Sequence, residues 1–374
     1  MKKFTTVAML AVAGLSLVLS SCGAPTYEIA LVTDVGDIDD KSFNQGAWEG
    51  VVDFAEENNK TYQYYKPTAV DNTEYVNTID LAIEGGAKVV VTPGFLFETP
   101  IFLAQDEHPD VSFILLDGVP HSADYSEFRQ EDNVLSILYA EEQAGYLAGY
   151  AAVADGYRSL GFMGGMAVPA VVKFGVGFML GAQAAATFEN AEVTIQYHYT
   201  GDFADTPENA ATAETMYEAG VEVIFAAGGA VGLSVMSEAE KDSEGLDKVI
   251  GVDVNQGPGG ADLSDTVITS AMKGLGTSVV QALEEYYADE FPGGEVWVLD
   301  ASNDGVGLPT DVDSWGFENF TVERYNDIYE DLATGSKTVA LILNGSNVTG
   351  ATRGEITAYD TAMNKVSVTW VGVD

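Results

Sequence analysis

The chain has 374 residues, with 58 acidic side chains against 16 basic ones, a formal net charge of −42 and a single cysteine. That imbalance excludes nucleic acid as a partner, and one cysteine excludes both a disulfide framework and, at its position near the N-terminus, a thiol nucleophile in the fold. The length is enough for two lobes with separate cores.

In chain order, Lys2 and Lys3 precede an apolar run from Val7 to Leu19. The run is too short to cross a bilayer comfortably and is flanked as a secretory signal is. Leu19-Ser20-Ser21-Cys22 resembles the lipobox of bacterial lipoproteins, in which cleavage leaves the cysteine at the new N-terminus carrying lipid. Residues 1–21 are therefore expected to be a lipoprotein signal peptide. Cys22 is the expected lipidation site, and the mature chain is expected on the outer side of the cell membrane. Without Lys2 and Lys3, 14 basic residues face 58 acidic ones, a net charge of −44. Self-repulsion of that size is screened at molar salt, where the Debye length is about 3 Å, so the acidity reads as adaptation to a saline environment.

Ile29 to Val32 is a short apolar run that reads as a buried parallel strand. A loop carrying Asp34, Asp37, Asp39 and Asp40 follows, and then a helix with Asp39 or Asp40 as its expected N-cap. Phe43, Ala47, Val51, Phe54 and Ala55 fall on one face of that helix. In open α/β sheets ligands bind at the carboxyl ends of strands, where this loop lies. Further strand-like runs occur at Lys88–Thr92, Val111–Leu116, Ser159–Met163, Val193–Tyr199, Val221–Ala226, Lys248–Val252, Val267–Ala271, Glu295–Leu299 and Thr338–Leu343. Helical stretches lie between most of them, among them Glu74–Glu84, Ala140–Val153, Val171–Phe188 and Thr277–Tyr287. Strands alternating with helices predict parallel α/β sheets. Near the end, Glu355–Tyr359 and Lys365–Trp370 alternate apolar and polar residues and read as an antiparallel hairpin.

Catalytic equipment is sparse. His108, His121 and His198 show no metal-ligand spacing, and there is neither a P-loop nor a GxSxG elbow. Gly175, Gly177 and Gly181 sit inside a helical pattern, where helix packing explains them better than a dinucleotide fingerprint does. The aspartate cluster has a rival reading, because calcium-dependent nucleoside hydrolases open with a strand and D-T-D-P-G-x-D-D. Here Val32 stands where the first aspartate belongs, and the closing pair is displaced by one residue. Caps and local turns account for Asp37, Asp39 and Asp40 without a metal, and no cofactor is expected.

The run Val32-Thr33-Asp34 through Asp39-Asp40-Lys41-Ser42-Phe43-Asn44-Gln45 resembles the signature of the basic membrane protein family, lipoprotein substrate-binding components of ABC transporters that include purine nucleoside receptors. The similarity continues at Phe113–Gly118, Glu142–Tyr150, Val249–Asp253 and Thr269–Lys273, so it runs the length of the mature chain in order. The resemblance implies an α/β, type I periplasmic binding protein fold, with two Rossmann-like lobes and ligand in the cleft between them. Residues 27–138 with 267–291 are expected to form the N-terminal lobe, and 139–266 with 292–374 the C-terminal one. Transferred onto matching positions, Asp34 would accept hydrogen bonds from a nucleobase, and Phe43 and Phe203 would stack on its faces. Asp117, Asp253 and Lys273 would bind ribose hydroxyls, with Gly228 or Gly229 giving close backbone contact.

The residue chemistry is consistent with that transfer: ionised carboxylates only accept hydrogen bonds, and two aromatic faces suit a flat heterocycle. Each residue also has a plainer role, since Phe43 opens an apolar stripe and Asp117 and Asp253 precede turns. A lysine at 273, inside an otherwise apolar strand, requires a partner. The expected protein is a monomeric, lipid-anchored, non-enzymatic nucleoside-binding protein, with purine preferred, that serves an ABC permease. A ligand sensor of the same fold and a metal-dependent nucleoside hydrolase are the alternatives.

Overall fold

The computed structural model describes residues 26–340, 342–343, 346–347 and 363–371. The expected signal peptide, Cys22 and the Glu355–Tyr359 half of the expected hairpin lie outside the described residues.

The chain first builds β1 (Ile29–Val32), α1 (Phe43–Glu57), β2 (Tyr62–Tyr65), α2 (Asn72–Glu84), β3 (Val89–Pro93), α3 (Glu98–Glu107), β4 (Ser112–Leu116) and β5 (Val134–Tyr139). It then crosses to a second lobe with α4 (Glu141–Asp155), β6 (Ser159–Gly164), α5 (Pro169–Glu189), β7 (Val193–Tyr199), α6 (Pro207–Glu218), β8 (Val223–Ala227), α7 (Val231–Ala239), β9 (Lys248–Asp253) and β10 (Val267–Lys273). It returns for α8 (Leu275–Tyr287) and β11 (Val296–Leu299). A last crossing leads to β12 (Val306–Gly307), α9 (Val322–Ala333), the short pair β13 (Ile342–Leu343) and β14 (Ser346–Asn347), and β15 (Val366–Trp370).

Two large sheets result, ordered β11-β5-β4-β3-β1-β2 and β12-β10-β9-β8-β6-β7-β15, beside the two-stranded pair β13-β14. Every pairing in the large sheets is parallel except β10 with β12. The central strands are apolar on both faces because helices cover both; β1, β3 and β8 are buried along their whole length. The sheets place two segments differently from the sequence-based division. β10 lies in the second sheet between β9 and β12, while β11 pairs with β5 in the first. Apolar patterning identifies a strand but not the sheet it joins, and the crossing occurs at Gly274, between β10 and α8. In the tail, β15 runs parallel to β7, from Val366 opposite Val193 to Trp370 opposite Tyr197, a partner remote in sequence that local alternation does not reveal.

Among the described residues, three crossings join the lobes, at Ala140, at Gly274 and over residues 300–305. They are bonded to one another: Ala140 N donates to Leu299 O at 2.9 Å, and Gly274 N to Gly305 O at 2.9 Å. Beside them, α4 and α5 pack backbone to backbone. A Cβ on Gly145 or Gly149 would lie 2.1 Å from the carbonyl oxygen of Phe174 or Phe178. One on Gly177 or Gly181 would lie 2.2 or 2.0 Å from that of Glu142 or Tyr146. Only glycine permits that approach, which accounts for the glycines inside this helical pattern.

Candidate functional site

The loop after β1 is organised by Asn44, a buried residue in the first turn of α1. Its Nδ2 donates to Asp34 Oδ1 at 2.8 Å and to Asp40 Oδ2 at 2.9 Å. Asp34 Oδ1 also accepts from Gly36 N at 2.9 Å. The helix begins at Phe43 with Ser42 as N-cap residue, later than expected. Asp40 still supplies the cap, since its two oxygens accept from the backbone N–H groups of Ser42, Asn44 and Gln45 at 2.9–3.0 Å. Asp37 instead pairs with Lys66 at 2.5 Å. Burial raises the Asp34 carboxyl to about 6 against the opposing hydrogen bonds from Gly36 and Asn44. Gly94, at φ +114°, passes behind it, where a Cβ would sit 3.0 Å from Asp34 Oδ2.

Asp117 follows β4 and Asp253 closes β9, both at positive φ, 57° and 66°. Aspartate tolerates this conformation better than most residues, and its use at two strand ends turns both carboxylates into one space. Lys273, at the end of β10, is buried among them. Its Nζ lies 2.5 Å from Asp117 Oδ2, 3.3 Å from Glu141 Oε1 and 3.7 Å from Asp253 Oδ1. It also sits over the Phe43 ring, 4.6 Å from the centroid. Burial disfavours the Lys273 charge, but Asp117, Glu141 and Asp253 outweigh it and hold the amine protonated. Burial raises Asp117 and Asp253, with Lys273 opposing both shifts. Glu141 is as deeply buried but lies below the usual carboxylate range, because Lys173 at 3.0 Å adds to Lys273. Asp117 Oδ1 is buried and has no partner among the described residues.

Asp34, Phe43, Asn44, Asp117, Asp253 and Lys273 line one cavity of about 600 Å³ between the lobes, within the roughly 300–1,000 Å³ common for small-molecule sites. All eight ligand-site residues singled out in the sequence line it: Asp34, Phe43, Asp117, Phe203, Gly228, Gly229, Asp253 and Lys273. Asp34, Phe43 and Asp117 come from the first lobe, and Phe203, Gly228, Gly229, Asp253 and Lys273 from the second. Phe203, in the loop after β7, packs on Gly165, where a Cβ would lie 2.4 Å from its ring. Sequence reasoning missed the apolar part of the wall, Met166, Val168, Phe174 and Leu233. It also missed Glu141, a buried acid in the first turn of α4 that faces Lys273. The three histidines lie away from the cavity. His108 bonds Asp80 at 2.7 Å, His121 bonds Glu98 at 3.1 Å, and His198 bonds the Val371 carbonyl at 2.8 Å.

Two doubly wound lobes joined by three crossings, with a cavity between them at the strand ends, define the type I periplasmic binding fold. Solved structures agree. An ABC transporter solute-binding protein from Aeropyrum pernix K1 superposes with TM-score 0.69 at 24% identity, over 82% of this chain and 85% of that one. Another from Conexibacter woesei gives 0.65 at 25% identity, over 84% and 98%. Residues 28–338 match the model of the Bmp family, described as PnrA-like ABC transporter substrate-binding proteins, and the chain belongs to that family. The ABC transporter nucleoside-binding protein BmpA of Lactococcus lactis is 29% identical over 82% of this chain and 88% of its own length. Basic membrane protein D of Borreliella burgdorferi is 29% identical over 75% and 78%. Proteins of this class hold a small molecule and present it to a membrane permease on the extracytoplasmic side.

Proposed function

We propose that this chain binds a nucleoside, with purine preferred, in the interlobe cavity and delivers it to an ABC permease while anchored to the membrane by lipid on Cys22. The observation that carries the reading is the convergence of two aromatic rings, Phe43 and Phe203, from opposite lobes on a space walled by Asp34, Asp117 and Asp253. A flat heterocycle stacks between such rings, each stack contributing about 1–3 kcal/mol. Its N–H groups and the ribose hydroxyls supply donors, which the acceptor-only carboxylates need. The unpartnered Oδ1 of Asp117 gives one such donor a place. Three carboxylates around the space repel a phosphate, which favours nucleosides over nucleotides. The nucleoside-binding name of the Lactococcus relative points the same way.

Calorimetry with inosine, guanosine, uridine, the free bases and inosine monophosphate tests this reading. Inosine should bind, the monophosphate should bind far more weakly, and Phe203→Ala should weaken inosine binding by roughly tenfold or more. Tight binding of the monophosphate, or an unchanged affinity in Phe203→Ala, would overturn it. The intact mass of the mature protein, expected to begin at Cys22 and carry acyl chains, checks the anchor.

A further inference from the structure

The cleft is also spanned by hydrogen bonds that need no ligand atom. Ser42 Oγ, on the first lobe, donates to Asp253 Oδ2, on the second, at 2.5 Å. Gln256 Nε2, on the second lobe, donates to the carbonyl oxygen of Lys41, on the first, at 2.8 Å. Ser42 and Gln256 are 0% and 1% exposed, so both donor side chains are shielded from water.

Gln256 is built to present that one donor. Its Oε1 accepts from Val252 N at 3.0 Å, and its own backbone N–H donates to Ser270 Oγ at 3.0 Å. Both partners belong to the second sheet, and Gly251 makes room, since a Cβ there would lie 2.6 Å from Gln256 Oε1. The acceptor is equally fixed: Lys41 is at φ 60°, which turns its backbone at the entrance to α1. Ser42 fulfils a second task. By occupying Oδ2 of Asp253 it leaves Oδ1 toward Lys273, 3.7 Å away, in the cavity wall. Neither Ser42 nor Gln256 lines the cavity.

We propose that Ser42 and Gln256 are positioning residues that latch the two lobes, fixing Asp253 and setting the fraction of molecules with a closed cleft before any ligand arrives. Affinity for the cleft's occupant then scales with that fraction, since an apparent Kd is the intrinsic one divided by the binding-competent population. A latch residue thus alters affinity without touching the ligand. The latch rests on the interlobe geometry alone; only the affinity arm of its test borrows the nucleoside reading.

The test measures cleft width in the free protein by electron–electron resonance. Nitroxides are placed on Asn72→Cys and Glu208→Cys, exposed positions near the two rims, in full-length protein with Cys22→Ser. Gln256→Glu keeps the acceptor for Val252 N but sets a carboxylate against the Lys41 carbonyl. Ser42→Ala removes the other bond with little change in volume. Both variants should shift the free distance distribution toward longer values, with circular dichroism unchanged. Each should weaken inosine binding by roughly 2–10-fold, the range of one lost hydrogen bond. Saturating inosine should restore the short distance. Should Gln256→Glu fail to fold, Ser42→Ala carries the same prediction. Distances in Ser42→Ala that match the parent would overturn the latch. A lengthened distance in variants with no inosine binding by any form, the parent included, would support the latch and overturn the nucleoside reading instead.

Discussion

Replacing Lys273 with methionine probes the charge arrangement most directly. The side chain is only 2% exposed, and its ammonium stands 2.5, 3.3 and 3.7 Å from Asp117, Glu141 and Asp253. Methionine fills similar space and keeps the apolar stem, so the change isolates the charge. Removing one member of a buried ion pair costs about 3–5 kcal/mol, because the partner is left charged and unsolvated. At about 2.1 cal/mol/K per residue, unfolding 374 residues as one unit carries roughly 0.8 kcal/mol/K, so Tm should fall by about 4–6 °C. The loss should depend on pH. Burial already raises Asp117 and Asp253 against the pull of Lys273, and without that pull both rise further. A carboxyl with a raised folded pKa favours folding below its unfolded pKa and loses that contribution as pH rises through the folded one. The Tm deficit of Lys273→Met should therefore be largest at pH 8 and shrink toward pH 5. Calorimetric melts of both proteins across that range decide the matter. A Tm at pH 8 within a degree of the parent, or a deficit independent of pH, would refute the reasoning.

Asp34 titrates near 6, so any ligand whose N–H groups bond to its carboxylate should lose affinity as pH falls through 6. Asp34→Asn should remove that step from a calorimetric pH series with inosine, leaving only the contributions of the other carboxylates. Gly149→Ala would place a Cβ 2.1 Å from the Phe178 carbonyl oxygen and force α4 from α5. It should cost about 1–3 kcal/mol or more in urea unfolding, whereas an unchanged midpoint would show that the helices separate freely.

Most of the strands were legible because buried parallel strands are short unbroken apolar runs, and the helices between them because their apolar stripes repeat at helical spacing. β2 was not, since Tyr62–Tyr65 lies at a sheet edge and is only partly buried. β5 was not among the expected strands either; only Ala140 separates it from α4, so no turn signal marks its end. Sheet membership of β10 and β11, and the direction of β15, depend on partners far away in the chain, about which local spacing is silent. The polar wall of the cavity was reached through the family resemblance, because an aspartate at a strand end reads by itself more often as a turn cap than as a ligand. Its apolar wall was not reached, because Val168 and Phe174 have the same character as the core beneath them. Ser42 and Gln256 carried no signal at all, since their importance lies in reaching across to the other lobe.

The bonds among the three crossings bear on mechanics. Three separate strands of chain could bend, shear and splay independently, and a cleft hung on them would sample many openings. Here Ala140 is tied to Leu299 and Gly274 to Gly305, and Ala301 N reaches Gln143 Oε1 at 2.8 Å. Tied at these points, the crossings are expected to bend together rather than separately. An opening carried by such a joint would move the far ends of both lobes as one, and a partner resting on both would read the angle between them.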